Sequence, residues 1–224
     1  MERRKVGADQ TRTNILEAAR KLLVSEHFRE FTMEAVAKAA DVSRLTVYYQ
    51  FNSRAGLLEG LYNHIATGGY IGMLPDVFRE GNDPVQKLHR FIEVFVRFWA
   101  SNREVIRRLH ALGAIDAEIG HGLRERNQRR RNGLQVIVEH YCRNYFQFIA
   151  MQGALMLDVL HMLTSFETYD ALAASGRSTD EIVAIIRKLV DQAIGMSPRP
   201  VSQYTAPPVK PPERKRRSRR RKRR

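Results

Sequence analysis

Residues 32–58, TMEAVAKAADVSRLTVYYQFNSRAGLL, constrain the fold more than any other stretch of this 224-residue chain. Met33, Val36, Ala37 and Ala40 recur at helical spacing, so one face of a short helix is buried. Thr32 stands just before that helix, where a hydroxyl can take a free backbone N–H. Ala40-Asp41-Val42-Ser43 then breaks the pattern. Aspartate tolerates the left-handed backbone that a sharp turn needs, and Ser43 can cap the next helix. That second helix, about Arg44 to Gln50, is expected to bury Val47, with Leu45 as a second candidate. Arg44, Thr46, Tyr48 and Tyr49 remain as donor-bearing side chains. Two short helices, a tight turn and the start of a third make a helix-turn-helix, whose second helix enters the major groove of DNA.

A denser pattern lies over the same residues. Val36-Ala37, Ala40, Val42-Ser43, Thr46-Val47-Tyr48-Tyr49, Phe51, Ser53-Arg54 and Leu57-Leu58 fall in step with IAxxAGVSxGTxYxHF, a serine-lysine pair and a leucine pair. On these residues the segment resembles the DNA-binding domain of TetR/AcrR-type transcriptional regulators. Three positions depart from that pattern. Asp41 replaces the usual turn glycine, Leu45 takes a site that is often small, and Gln50 stands where histidine is common. The resemblance implies a bacterial repressor that binds its operator as a homodimer and is released by a small molecule. It also implies a C-terminal helical domain that dimerises and often holds an apolar effector cavity.

The formal net charge is +14, but it is unevenly spread. Lys210 to Arg224 contain eleven Lys or Arg and one Glu, which gives +10 and leaves +4 for residues 1–209. The basic character therefore belongs to the tail and says little about the folded body. No uninterrupted apolar run of about 18 residues occurs, so no membrane span is expected. The N-terminus, MERRKVGADQTR, lacks the apolar core of a signal peptide, and a cytoplasmic, nucleoid-associated protein is expected. The one cysteine, Cys142, fits a reducing compartment and a small buried side chain.

Elsewhere the pattern is helical throughout. Residues 10–27 carry Ile15, Ala18, Ala19, Leu22 and Leu23 on one stripe. A helix over about 53–67 comes after the head, and Gly68, Gly69 and Gly72 weaken its continuation. Asp83-Pro84 is a cap with proline at the first helical position, opening an apolar helix through Trp99. Further helices are expected near 103–112, from 117 through Tyr141, over 144–170 and over 179–194. The last opens on Ser178 and Glu181, a capping box. After Pro198 the Pro-rich run and basic tail are too polar and proline-broken to pack.

The expected fold is all-α: a helix-turn-helix head at 1–52, a helical effector-binding and dimerisation domain at 53–196, and a disordered tail at 197–224. Candidate DNA contacts are Thr32, Ser43, Arg44, Leu45, Thr46, Tyr48, Tyr49 and Arg54. Arg44 can pair with a guanine edge, while the tyrosines can donate to phosphates. Thr32 and Arg54 sit at helix starts, which also favour phosphate. The aromatic and methionine content of residues 85–166 reads mainly as core, with Phe95, Trp99 and Met162 as candidates for an effector cavity taking an apolar or amphipathic molecule. Leu157, Leu160, Ile182, Ile185, Ile186 and Leu189 are candidates for the seam of a homodimer. The run Arg124, Arg126 and Arg129-Arg130-Arg131 reads as a solvated face, with an anionic effector as the sharper reading.

No metal, cofactor or catalytic constellation is expected. His110, His121, His140 and His161 are spread along the chain without ligand spacing, and no nucleophile motif or glycine-rich phosphate loop occurs. The rival to a ligand-responsive regulator is a sequence-independent nucleic-acid binder driven by the basic tail. A ligand-binding or enzymatic helical protein that uses its head only structurally is the other.

Overall fold

The computed structural model describes residues 2–26, 28, 31–79, 83–145 and 150–195, and among them every regular element is helical. The head comprises α1 (Glu2–Val24), α2 (Met33–Ala39) and α3 (Arg44–Phe51), joined to the long connector α4 (Arg54–Thr67). A 3-10 turn over Tyr70–Met73 leads into α5 (Leu74–Arg79). The bundle is made of α6 (Pro84–Ser101), α7 (Arg103–Ile115), α8 (Ala117–Tyr145), α9 (Ala150–Leu163), α10 (Phe166–Ala174) and α11 (Thr179–Gly195). The tail expected over 197–224 lies outside the described residues.

Local chemistry sets most helix starts. Thr32 Oγ1 accepts the Ala35 N–H at 3.1 Å, Ser43 Oγ that of Thr46 at 3.0 Å, and Ser53 Oγ that of Gly56 at 3.0 Å. Asp83 takes the Val85 N–H at 2.9 Å ahead of Pro84. At α11 the Ser178 N–H donates to Glu181 Oε2 (2.7 Å), while the Glu181 N–H donates back to Ser178 Oγ (3.3 Å). Each such cap stabilises its helix by about 1 kcal/mol.

Helix α6 carries an unusually wide apolar face, so several neighbours are needed to cover it. It buries Leu88, Phe91, Ile92, Val94, Phe95, Val96, Phe98 and Trp99, and α5, α7, α8, α10 and α11 pack around it. The Trp99 indole N–H donates to the Thr164 carbonyl at 3.1 Å, which leaves no buried polar atom on that ring unmet.

The structure departs from the sequence expectation in three places. Helix α1 begins at Glu2 rather than near residue 10, and ends at Val24. A short helix, α5, forms where glycines suggested only weakening. The single helix expected over 144–170 is divided, with α9 ending at Leu163 and α10 starting at Phe166; residues 146–149 lie outside the described residues. The break has a cause. Arg130 takes the His161 carbonyl at 2.7 Å and also bonds Thr164 Oγ1, while Ser165 Oγ caps α10 by accepting the Thr168 N–H at 3.2 Å. Arginine thus satisfies a carbonyl at the end of α9 and serine restarts the chain as α10.

Helix α11 lies on α6 and α9. Arg187 donates to Glu93 Oε2 (2.7 Å) and to the His89 carbonyl (3.1 Å), Arg97 to Asp180 Oδ1 (3.1 Å), and His89 pairs with Asp191 (2.6 Å). This docking corrects the expected dimer seam. Leu160, Ile182 and Ile186 are fully buried and Leu157 is 8% exposed, so these four face the chain's own core. The α11 stripe is taken up by α6, leaving only half-buried Ile185 and exposed Leu189 on the outside.

Candidate nucleic-acid interface and bundle cavity

The head is held by a small core in which every helix contributes: Ile15, Ala19 and Leu23 from α1, Val36 and Ala37 from α2, Val47 and Phe51 from α3, and Leu57, Leu58 and Leu61 from α4. Asp41 sits at φ 52°, the left-handed conformation that turns α2 into α3. At Gly56 the space is closed. A Cβ there would lie 2.2 Å from the Phe51 carbonyl oxygen, so only glycine lets α4 leave α3 this tightly.

Val47 and Phe51, four residues apart, turn one face of α3 inward and fix the rotation of the helix. The opposite face is bare. Arg44 is exposed, Tyr49 is 86% exposed, and Leu45 is 79% exposed, which corrects the expectation that Leu45 adds to the core. A leucine and a tyrosine stacked one turn apart in water form an unusual stripe, since monomeric surfaces expose large apolar groups singly. Arg44 Nη2 reaches Tyr48 Oη at only 3.5 Å, and its guanidinium lies 5.3 Å from the Tyr48 ring, a loose contact that an outside acceptor can replace.

The other candidate contacts stand at or near helix starts. Thr32 is exposed, and its hydroxyl accepts a backbone N–H while keeping its own proton to donate. Ser43 and Thr46 exchange a hydroxyl bond at 2.8 Å at the start of α3. Arg54 is placed differently. Its guanidinium lies 5.7 Å from the Phe31 ring and its Nε is buried, with no acceptor among the described residues, so this side chain is tucked against the head. Gln50, which departs from the family pattern, is engaged by Arg12, whose Nη1 donates to the Gln50 carbonyl at 3.0 Å and approaches its Oε1 at 3.4 Å. Nothing in the sequence signalled that link, because α1 and α3 meet only in the folded head.

A second site lies in the bundle. A cavity of ≈280 Å3 opens between α4, α6, α7, α8 and α10. Phe95 and Trp99 line it, together with Phe166, whose ring stands edge-on to Trp99 at 5.6 Å. Met162, the third effector candidate, does not line it; the side chain is 58% exposed on α9. Two residues missed as cavity candidates, His110 and Glu167, meet across α7 and α10 at 3.2 Å. That hydrogen bond is the main reason the Glu167 carboxyl is held at about 2. Behind the cavity, Gly113 and Gly120 let α7 and α8 touch: a Cβ on Gly120 would lie 2.6 Å from the Gly113 carbonyl oxygen.

Tyr62 brings α4 into this wall. Burial pushes its phenol up to about 12, so it stays neutral, and the Arg126 guanidinium covers its ring at 4.5 Å. Arg126 also donates to the Glu59 carbonyl (3.2 Å) and to Asn63 Oδ1 (2.9 Å). One cavity-lining arginine is therefore fastened to the helix that packs under the head.

Comparison with known proteins bears first on the head. Residues 15–61 match the model of bacterial regulatory proteins, tetR family. The head therefore carries a tetR-family DNA-binding domain. The chain is 43% identical over 49 residues to the HTH-type transcriptional regulator AlkX of Mycobacterium tuberculosis, covering 22% of this chain and 23% of the relative. It is 30% identical over 94 residues to the HTH-type transcriptional regulator EthR of Mycolicibacterium smegmatis, covering 42% of this chain and 43% of that one. The chain thus spans less than half the length of these curated relatives. The fold extends further. NalD, the secondary repressor of the MexAB-OprM multidrug efflux pump in Pseudomonas aeruginosa, superposes with a TM-score of 0.64 at 20% identity, covering 84% of this chain and 96% of that one. Among the described residues no helix is long and apolar enough to cross a membrane.

Proposed function

We propose that this TetR-family regulator acts as a repressor, placing α3 of each protomer of a homodimer in the major groove of a palindromic operator. The observation that carries the reading is the bare face of α3, with Arg44, Leu45 and Tyr49 exposed while Val47 and Phe51 lock the opposite face into the head. Arg44 supplies a base-edge contact, Leu45 an apolar surface for a thymine methyl, and Tyr48, Tyr49, Thr32, Ser43 and Thr46 supply donors for phosphates. Arg54 packs the start of α4 against Phe31, ahead of α2. Selection of bound DNA from a random pool tests this. A near-palindrome with half-sites about one helical turn apart is expected; recovery of unrelated sequences with equal affinity contradicts it.

The dimer in this reading is built by α9 and α11, which pack on each other and still carry exposed Leu155 (58%), Met162 (58%) and Leu189 (42%). Replacing Leu155 and Leu189 by glutamate is expected to shift the protein to monomer at micromolar concentration in light scattering. An unchanged dimer places the seam elsewhere.

The bundle cavity is the effector site of this reading. A ligand there alters operator binding only through different affinities for two arrangements of the dimer. Arg126 and Tyr62 supply a physical link, since both line the cavity and both bear on α4.

A second reading rests on the +10 charge of residues 210–224, which suits a polyanion regardless of sequence. Deleting those residues is expected to flatten the slope of log affinity against log salt on random DNA. An unchanged slope shows that the tail does not touch phosphate, and retained operator specificity in the truncated protein sets this reading below the first.

A further inference from the structure

We infer that the bundle cavity takes a small amphipathic carboxylate, its apolar body against Phe95, Trp99 and Phe166 and its charge at Arg124 and within the field of Arg130. The inference rests on the effector-site reading and gives the chemistry of its ligand.

The arginine run of α8 divides in the fold. Arg129 and Arg131 are not among the cavity lining: Arg129 is exposed and pairs with Glu125 at 3.7 Å, and half-buried Arg131 pairs with Asp158 of α9 at 2.6 Å. Arg124, Arg126 and Arg130 line the cavity. Arg130 is only 5% exposed, yet its acceptors are all neutral: the His161 carbonyl, Asn127 Oδ1 and Thr164 Oγ1. A buried guanidinium with no carboxylate bonded to it is costly, and burial pulls its pKa down to about 10. Its hydrogen bonds fix its geometry, and its charge is offset in part, from a distance, by Glu167, which is already bonded to His110.

Arg124 stands at the mouth, exposed, and among the described residues no acceptor is within hydrogen-bond or ion-pair reach of it. Arg126 is already committed to α4. Among the described residues the one lining acid, Glu167, is held by His110, and Tyr62 is neutral. Among the described residues, three arginines face one carboxylate across a wall whose other residues are aromatic or small, with Leu123 and Asn127.

Arg124 and Arg130 are six residues apart, roughly 9 Å along the helix axis. One carboxylate therefore contacts Arg124 directly and meets Arg130 through the low-dielectric interior. A neutral ligand forfeits the charge-assisted bond, while an ammonium is repelled.

Calorimetry on the full chain with 2-naphthoate, neutral 2-naphthamide and cationic 2-naphthylmethylammonium tests the inference, repeated on Arg124→Gln. The naphthoate is expected to bind at least about tenfold more tightly than the amide, the ammonium not at all, and Arg124→Gln to remove most of that preference without changing amide binding. Equal binding of naphthoate and amide, preference for the ammonium, binding of none of the three, or a preference that survives Arg124→Gln overturns it. Operator affinity measured on the same samples separates the two readings. Naphthoate that binds through Arg124 without changing operator affinity leaves the anion site standing and removes the sensor role.

Discussion

Replacing Arg44 by alanine is expected to lower affinity for a selected operator by about 1–3 kcal/mol, the range for one lost bidentate base contact. Arg44 stands at the first position of α3, exposed, and its contact in the free protein is the loose one with Tyr48. Its removal therefore costs the folded head little, so the loss is read in binding rather than in stability. The contrast is Tyr49→Phe, which removes one exposed hydroxyl and is expected to weaken all sequences evenly by about 1 kcal/mol. Titration of both variants against operator and random DNA at one salt concentration checks the pair. An Arg44→Ala protein with unchanged operator affinity contradicts the placing of α3.

Trp99→Ala is expected to destabilise the bundle by about 3–5 kcal/mol, the range for removing a large buried aromatic. The ring is 6% exposed and meets Phe95, Phe98 and Phe166, with centroids 4.9–5.8 Å away. Its loss also strands the Thr164 carbonyl at the α9–α10 break. The corresponding fall in Tm is roughly 6–20 °C for a chain of this size. Trp99→Phe keeps most of the apolar surface and loses the hydrogen bond, and should cost far less. Thermal unfolding followed by circular dichroism distinguishes them; a Tm for Trp99→Ala within a degree or two of wild type contradicts the central position given to this ring.

The head was legible because its determinants are local. Thr32 and Ser43 each cap a helix by accepting an N–H from three residues on, and the left-handed turn sits on Asp41 itself. The same holds for Ser178 and Glu181 at α11. The features that escaped were tertiary. The run over 144–170 has ordinary helical periodicity, and only Arg130, from another helix, reveals why it breaks after Leu163. Ile182 and Ile186 read equally well as core or seam until α6 claims them. Met162 and Trp99 look alike as apolar residues on helices, but one faces solvent and the other the cavity. The arginine run is the sharpest case, since sequence gives the charges and only packing decides which of them turn inward.

Base-edge reading by α3 through Arg44 is the central claim. Parallel selection from one random DNA pool, with the wild-type chain and with Arg44→Ala, tests it most directly. A near-palindromic consensus is predicted for the wild type, and for the variant the same consensus with one base-pair position relaxed symmetrically in each half-site. An identical consensus from both proteins, or no consensus from the wild type, contradicts it.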